Sequence, residues 1–190
     1  MASYFPDPRR IVTGHDDQGN AIVLKDSQVP CVPISPDANF AVLWETREFP
    51  ANISGNEDPI ETRTTNLANE KGVVLRIVDI PPNTVTLFHR TVSLDFGILF
   101  EGELECRLDN DVVIHMKPGD VCVQRGTIHG WTNPGSKPAR IYFVLIGKMA
   151  PTEELRKPAD GAEAAEPLKI GEKVLEETGF KREEMASGGQ

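Results

Sequence analysis

Clusters of Gly, Pro, Asn and Asp interrupt this chain at short intervals, among them Asp16-Asp-Gln-Gly-Asn20, Pro81-Pro-Asn83, Asp109-Asn-Asp111 and Lys117-Pro-Gly-Asp120. The apolar segments between them are short and rich in Val, Ile, Leu and Phe, and none carries a sustained helical period. That pattern predicts an all-β sandwich or barrel. Ile11–Thr13 and Ala21–Leu24 flank the first cluster as a hairpin, because Gly and Asn readily supply its left-handed turn positions. Phe40–Glu45 reads as a further strand. Gly72–Ile80 is another, ending where Pro81 and Pro82 fix φ and Asn83 tolerates the left-handed region. Thr84–His89 resumes extended structure. In Glu103-Leu-Glu-Cys-Arg-Leu-Asp109 the alternation is strict, so Leu104, Cys106 and Leu108 face a core and Glu103, Glu105 and Arg107 face water. Val112–Met116, Val121–Val123 and Arg140–Gly147 complete the strands.

At 190 residues the chain suits one domain with extensions. Residues 1–71 are expected to form an N-terminal β extension and a long loop packed on a barrel core of residues 72–148. Within it, residues 50–71 are polar, lack a clear period, and fit a lid or a dimer arm. Residues 149–190 form a linker and tail, with Pro158–Pro167 an Ala/Glu-rich low-complexity stretch and Leu168–Met185 predicted as a short charged helix.

The formal net charge of −9 repels polyanions, which argues against nucleic-acid and anionic-membrane partners. No signal-peptide pattern and no stretch of roughly 18 apolar residues occurs, so a soluble, cytoplasmic protein is expected. Cys31, Cys106 and Cys122 are odd in number and lack a C-x-x-C pattern, which fits buried free thiols better than a disulfide framework or a zinc ribbon. Gly97, Gly102, Gly119 and Gly126 serve turns and close packing. They have no phosphate-loop spacing, so no nucleotide cofactor is expected.

Four histidines occur, His15, His89, His115 and His129, and chemistry at neutral pH falls first to them. His15 at a loop edge and His115 beside a turn read as solvated or structural. His89-Arg-Thr-Val-Ser-Leu-Asp95 places His89, Thr91 and Asp95 on one strand face, so an imidazole and a carboxylate converge. His129 follows the glycine-containing turn at Gly126, a position from which a side chain aims into a barrel mouth. Arg125 and Arg90 are candidate anchors for a carboxylate or enolate, although Arg90 alternates away from His89. Trp131, Phe88, Phe100 and Phe143 are core or pocket wall, with Trp131 nearest the mouth.

These two clusters resemble the two sequence motifs of the cupin superfamily. Asn83, His89, Thr91, Asp95 and Gly102 stand at the places of the first, G-x5-H-x-H-x3,4-E-x6-G. Gly119, Gln124, Gly126, His129 and Asn133 stand at those of the second, with Gln124 in place of a proline and one residue fewer before it. The resemblance implies a jelly-roll β-barrel, usually a homodimer, with a metal held by two His, a Glu and a third His. Here Asp95 stands for the glutamate and Thr91 for the second histidine. Carried over residue by residue, His89, Asp95 and His129 remain as a two-His, one-carboxylate set for a single divalent metal such as Fe, Zn, Mn or Ni. The same three side chains without metal form a proton-transfer site, with the carboxylate fixing an imidazole tautomer. The sequence also resembles small stand-alone cupins that act as tailoring proteins of microbial, including fungal, specialised metabolism. Three functions are therefore open. The first is a lyase or isomerase that dehydrates or decarboxylates a small oxygenated polyketide-like or acid substrate, with His89 and His129 as acid/base groups, Asp95 orienting one, and Thr91, Gln124, Arg125 and Trp131 against the substrate. The second is a metal-dependent oxidoreductase or dioxygenase, and the third a non-catalytic small-molecule-binding barrel.

Overall fold

The computed structural model describes residues 4–35, 37–62, 69, 71–109 and 111–147, and the backbone of 168–170 and 173–175. In chain order the strands are β1 (Arg9–His15), β2 (Ala21–Gln28), β3 (Val32–Ser35), β4 (Ala38–Glu45), β5 (Val73–Ile80), β6 (Thr84–Val85), β7 (His89–Arg90), β8 (Ser93–Glu101), β9 (Leu104–Leu108), β10 (Val113–Met116), β11 (Val121–Arg125), β12 (Ile128–Asn133), β13 (Ala139–Gly147), β14 (Leu168–Ile170) and β15 (Lys173–Leu175). Two sheets make the two walls of a β-barrel. One runs β11-β8-β13-β5-β4-β3, and the other β10-β9-β12-β6 with β7 also on β12. Alternation explains the choice of inner face. Leu104 and Cys106 on β9, Leu99 on β8, Val74, Val78 and Ile80 on β5, and Ile141, Phe143 and Leu145 on β13 meet Trp131 and Met116 in one core.

Turn chemistry agrees with the sequence. Asn83 and Asp111 take positive φ of 50° and 59°, and Gly102, Gly119 and Gly126 close their turns in the same region. Asn133 is a strut: its Nδ2 donates to the carbonyls of Ile80 and Lys137, and its Oδ1 accepts from the Gly135 amide. One motif position is thereby explained by a turn rather than by chemistry.

The β1–β2 hairpin forms as expected. The six-stranded sheet, however, takes β3 and β4 from within residues 1–71, so part of that segment is barrel wall. On the outer side of that wall, Cys31, Ala41, Leu43 and Ile77 form a second apolar cluster with Val29, Leu75 and Tyr142 against it. The polar stretch after Pro50 contains a single 3-10 turn, Pro59–Thr62, within the described residues.

Three expectations are corrected. Leu168–Ile170 and Lys173–Leu175 pair as antiparallel strands where a helix was predicted. Gly171 between them disfavours a helix, and Leu168, Ile170 and Val174 suit extended backbone. The rest of that predicted helix lies outside the described residues, as does the Ala/Glu-rich stretch. Phe88 and Phe100 are exposed rather than core. Phe100 falls on the outer phase of β8, where it meets Tyr142 edge-on. Arg125 is exposed too, because it alternates with the buried Gln124 on β11 and so points out of the barrel. Among the described residues no helix is long and apolar enough to cross a membrane.

Candidate active site

β7 pairs with β12 so that His89 and His129 are direct cross-strand neighbours. Their side chains share the inner face, both are more than nine-tenths buried, and their ring centroids lie 4.5 Å apart at 55°. Each ring is held in the same way. Nδ1 of His89 lies 3.2 Å from the Leu87 carbonyl, and Nδ1 of His129 lies 2.9 Å from the Thr127 carbonyl. A carbonyl only accepts, so each Nδ1 carries a proton that it donates, and in the neutral ring the lone pair is on Nε2. The hydrogen bonds that fix both tautomers thus come from the main chain, two residues upstream of each ring. Asp95, the carboxylate expected to orient one ring, accepts the Ser93 hydroxyl at 2.5 Å.

Both imidazoles are kept neutral. Burial pushes the His89 pKa below its ordinary value, partly opposed by the bond to Leu87. For His129 burial is again the largest cause, the His89 ring and Arg90 add to it, and the pKa falls to about 4. Arg90 is half-buried and donates to the Gly126 carbonyl at 2.5 Å, which ties the turn before β12 to β7. At neutral pH the pair is two bases side by side, each able to take a proton and share it with the other.

The remaining expected residues divide. Thr91, Ser93 and Asp95 are buried on the same phase of the chain as His89, as alternation requires. Gln124 is buried opposite Asp95, with Nε2 3.9 Å from Cys106 Sγ and Oε1 without a hydrogen-bond partner. Trp131 is buried and lies edge-on to His129 at 6.1 Å. His115, in contrast, is exposed and paired with Glu105 at 3.1 Å, and His15 is exposed.

Two charged residues buried on the inner side of the β4–β5 wall escaped sequence reasoning. Arg76 sits on the inner phase of β5, whose other charge, Asp79, lies on the outer phase, and burial lowers the Arg76 pKa to about 10 while Asp95 and Glu45 pull the other way. Glu45 is 1% exposed, and neither carboxylate oxygen has a hydrogen-bond partner. A β-bulge brings it in. The register shifts between Val42 and Trp44, so that Val42 pairs with Arg76 while Glu45 pairs with Val74. Without the extra residue Trp44 would face the core and Glu45 would face out. The only sequence signal for Arg76 is that, with Asp79, it interrupts the apolar run Val73–Ile80.

The donor set does not suit the metal centre that the family resemblance implies. Among the described residues no group of three or more His, Cys, Asp or Glu side chains is gathered to hold a metal ion. Thr91 occupies one ligand place, and Asp95 is engaged with Ser93 in the field of Arg76. Of the expected set of His89, Asp95 and His129, the two imidazoles stand in direct contact.

A cupin-domain family model matches residues 76–145. The cupin-domain-containing oxidoreductase fogC of Aspergillus ruber is 34% identical over 146 residues, 72% of this chain and 71% of fogC. Oryzines biosynthesis cluster protein J of Aspergillus oryzae is 35% identical, covering 75% of this chain and 84% of its own. Phomopsin biosynthesis cluster protein D of Diaporthe leptostromiformis is also 35% identical, covering 73% and 78%. Among solved structures, the Schizosaccharomyces pombe Cnp3 cupin domain overlays 76% of this chain and 90% of its own with a TM-score of 0.47 at 14% identity. Relatives at this identity, extending over some three quarters of the chain, together with the two-walled barrel, establish that the chain belongs to the cupin family.

Proposed function

We propose that the protein is a small-molecule tailoring enzyme, a lyase or isomerase that works by proton transfer between His89 and His129. The observation that carries this reading is the pair of buried imidazoles 4.5 Å apart, both held in the tautomer that leaves the Nε2 lone pair available for a proton. One Nε2 removes a proton next to a substrate carbonyl. The imidazolium so formed is destabilised by burial and by its neighbour, so it returns the proton readily, either to another carbon, giving an isomer, or to a leaving hydroxyl, which departs as water. Trp131, Thr91 and Gln124 are the walls within reach of that chemistry. The biosynthetic-cluster names of the relatives support an oxygenated metabolite as substrate.

The test is solvent exchange. In D2O the protein should introduce deuterium next to the carbonyl of a β-hydroxy or β-keto acid probe, with exchange falling at least about 100-fold in His129→Asn and in His89→Asn, the range that loss of an acid/base group costs. Exchange that survives in both variants would remove proton transfer at this pair from consideration. The oxidoreductase reading is favoured by one observation, the printed name of fogC and of its counterpart virC of Hypocrea virens. It expects product formation that requires oxygen and stops on chelation, whereas proton transfer between the two imidazoles expects neither.

A further inference from the structure

Glu45 ends β4 on the inner phase of its wall. The bulge between Val42 and Trp44 sets it opposite Val74, a core residue, and its side chain is buried. Among the described residues neither carboxylate oxygen has a hydrogen-bond partner. Its ion-pair partner is Arg47, whose Nε lies 3.7 Å from Oε1, beyond hydrogen-bond reach. Arg47 is itself exposed and donates instead to the Thr62 carbonyl and hydroxyl, each at 2.8 Å. A carboxylate withdrawn from water without donors is costly, and a donor brought by a ligand would complete it.

Register places Glu45 at the histidine end of the barrel. An inner row of Gln124, Asp95, Leu145, Val74 and Glu45 crosses the six-stranded wall from β11 to β4. Gln124 precedes the turn at Gly126 and His129 follows it, so the row and the imidazoles flank one turn. Contacts between the walls fix which strands face each other. Gln124 Nε2 on β11 is 3.9 Å from Cys106 Sγ on β9, and the Trp131 ring on β12 lies 5.5 Å from that of Phe143 on β13. Asn133 Nδ2 on β12 donates to the Ile80 carbonyl on β5 at 3.2 Å. The two walls therefore run in the same order. β9 lies on one side of β12 and β7 on the other, which sets β7 opposite β5 and β4. His89 on β7 thus faces the strand that carries Glu45, across the roughly 10 Å that separates packed sheets.

We propose that Glu45 is a substrate-binding residue whose carboxylate accepts a hydrogen bond from a hydroxyl of the substrate, so that the site selects a compound hydroxylated next to the carbon presented to His89. The charges at this end of the barrel favour a neutral donor. Glu45 and Asp95 are matched by Arg47 and by Arg76, which stands opposite Val42 one inner row deeper. Two carboxylates and two guanidiniums leave no excess charge for an ammonium group to neutralise, whereas a hydroxyl supplies the missing donor and adds none. A carboxylate that accepts from this hydroxyl does not protonate it, so the group it holds is retained while the neighbouring carbon exchanges its proton. The inference rests on the proton-transfer reading for what happens at His89, but the recognition of the hydroxyl by Glu45 is a binding event that can be measured without turnover.

The full chain is to be titrated calorimetrically with 3-hydroxy-3-phenylpropanoate, its methyl ether 3-methoxy-3-phenylpropanoate, and 3-amino-3-phenylpropanoate. The native chain should bind the hydroxy acid about 10-fold or more tighter than the ether or the amine, the worth of one hydrogen bond to a charged acceptor. Glu45→Met, close in volume but without an acceptor, should weaken the hydroxy acid about 10-fold and leave the ether within about twofold. Glu45→Gln, which keeps an acceptor oxygen, should retain most of the preference, and it decides together with the native chain if Glu45→Met does not fold. Deuterium exchange at the carbon next to the carboxyl should show the same split, with KM for the hydroxy acid raised in Glu45→Met and kcat little changed. No binding of the hydroxy acid by the native chain, equal affinity for hydroxy acid and ether, tighter binding of the amine, or an equal loss of all three in Glu45→Met would each overturn the proposal. A failure of the proton-transfer reading looks different: the hydroxyl preference would persist without any exchange. Exchange with no hydroxyl preference would instead remove Glu45 and leave the histidine pair in place.

Discussion

His129 titrates differently in the folded and unfolded chain, and the sign of the effect follows from its burial. Unfolded, it takes a proton near pH 6.5; folded, it resists until about pH 4. Between those values the unfolded state binds more protons, so folding stability is fully present above about pH 6.5 and declines as pH falls toward 4. The difference corresponds to about 3 kcal/mol by pH 4 and about 2 kcal/mol at pH 5. His129→Asn keeps a donor for the Thr127 carbonyl and removes the titration. Its urea midpoint should therefore change much less between pH 7 and pH 5 than that of the native chain. Equal pH slopes in the two proteins would show that the buried imidazole does not control this decline.

Elements are set by turns, and two glycines separate conformation from packing. Gly102 and Gly119 both hold positive φ, 85° and 95°, where an L side chain costs about 1–2 kcal/mol. A Cβ on Gly119 meets nothing within 4 Å, whereas one on Gly102 lies 2.7 Å from the Ala139 Cα and the Pro138 carbonyl. Gly119→Ala should lose roughly 1 kcal/mol of stability. Gly102→Ala should lose about 3 kcal/mol or more, since the β8–β9 turn cannot move away from β13 without disturbing the sheet. Denaturant unfolding of both variants measures the gap, and equal losses would leave the contact with β13 without energetic weight. The bulge in β4 acts at the same scale: one extra residue exchanges Trp44 and Glu45 between the faces of the wall, and with them an apolar core position for a buried charge.

At the scale of the molecule, the N-terminal segment is fastened to the rest of the chain by ion pairs whose arginines, Arg10 and Arg140, are buried. Arg10 makes two bonds to Asp58, at 2.9 and 2.6 Å, and reaches the Leu43 carbonyl on β4. Arg140 donates two to Asp79, at 2.6 and 2.7 Å, and one to the Pro6 carbonyl, while lying 4.7 Å from the Phe5 ring. Removing one partner strands the other in a poorly hydrated place. Asp58→Asn should therefore cost about 2–4 kcal/mol in denaturant unfolding, with little dependence on salt. A loss below about 1 kcal/mol would mean that the pair behaves as an exposed surface bridge.

The sequence by itself determined the β class, the strand phases and the shared face of His89, Thr91 and Asp95. These are local properties: a side chain alternates with period two, and Gly, Asn and Pro encode φ where they stand. It also separated His89 and His129 from His15 and His115, because the former pair lies in the motifs and the latter beside turns. What depends on the meeting of distant strands was decided by the tertiary structure. The cross-strand contact of the two imidazoles, the inward turn of Glu45 at a bulge and the burial of Arg76 in the field of Asp95 and Glu45 all depend on register and on how the walls pack. Arg125 shows the limit from the other side, since one position along β11 separates a pocket residue from a surface one. Alternation gives a phase to every residue of a strand, but only packing of one wall on the other says which phase is inside and which side chains meet there.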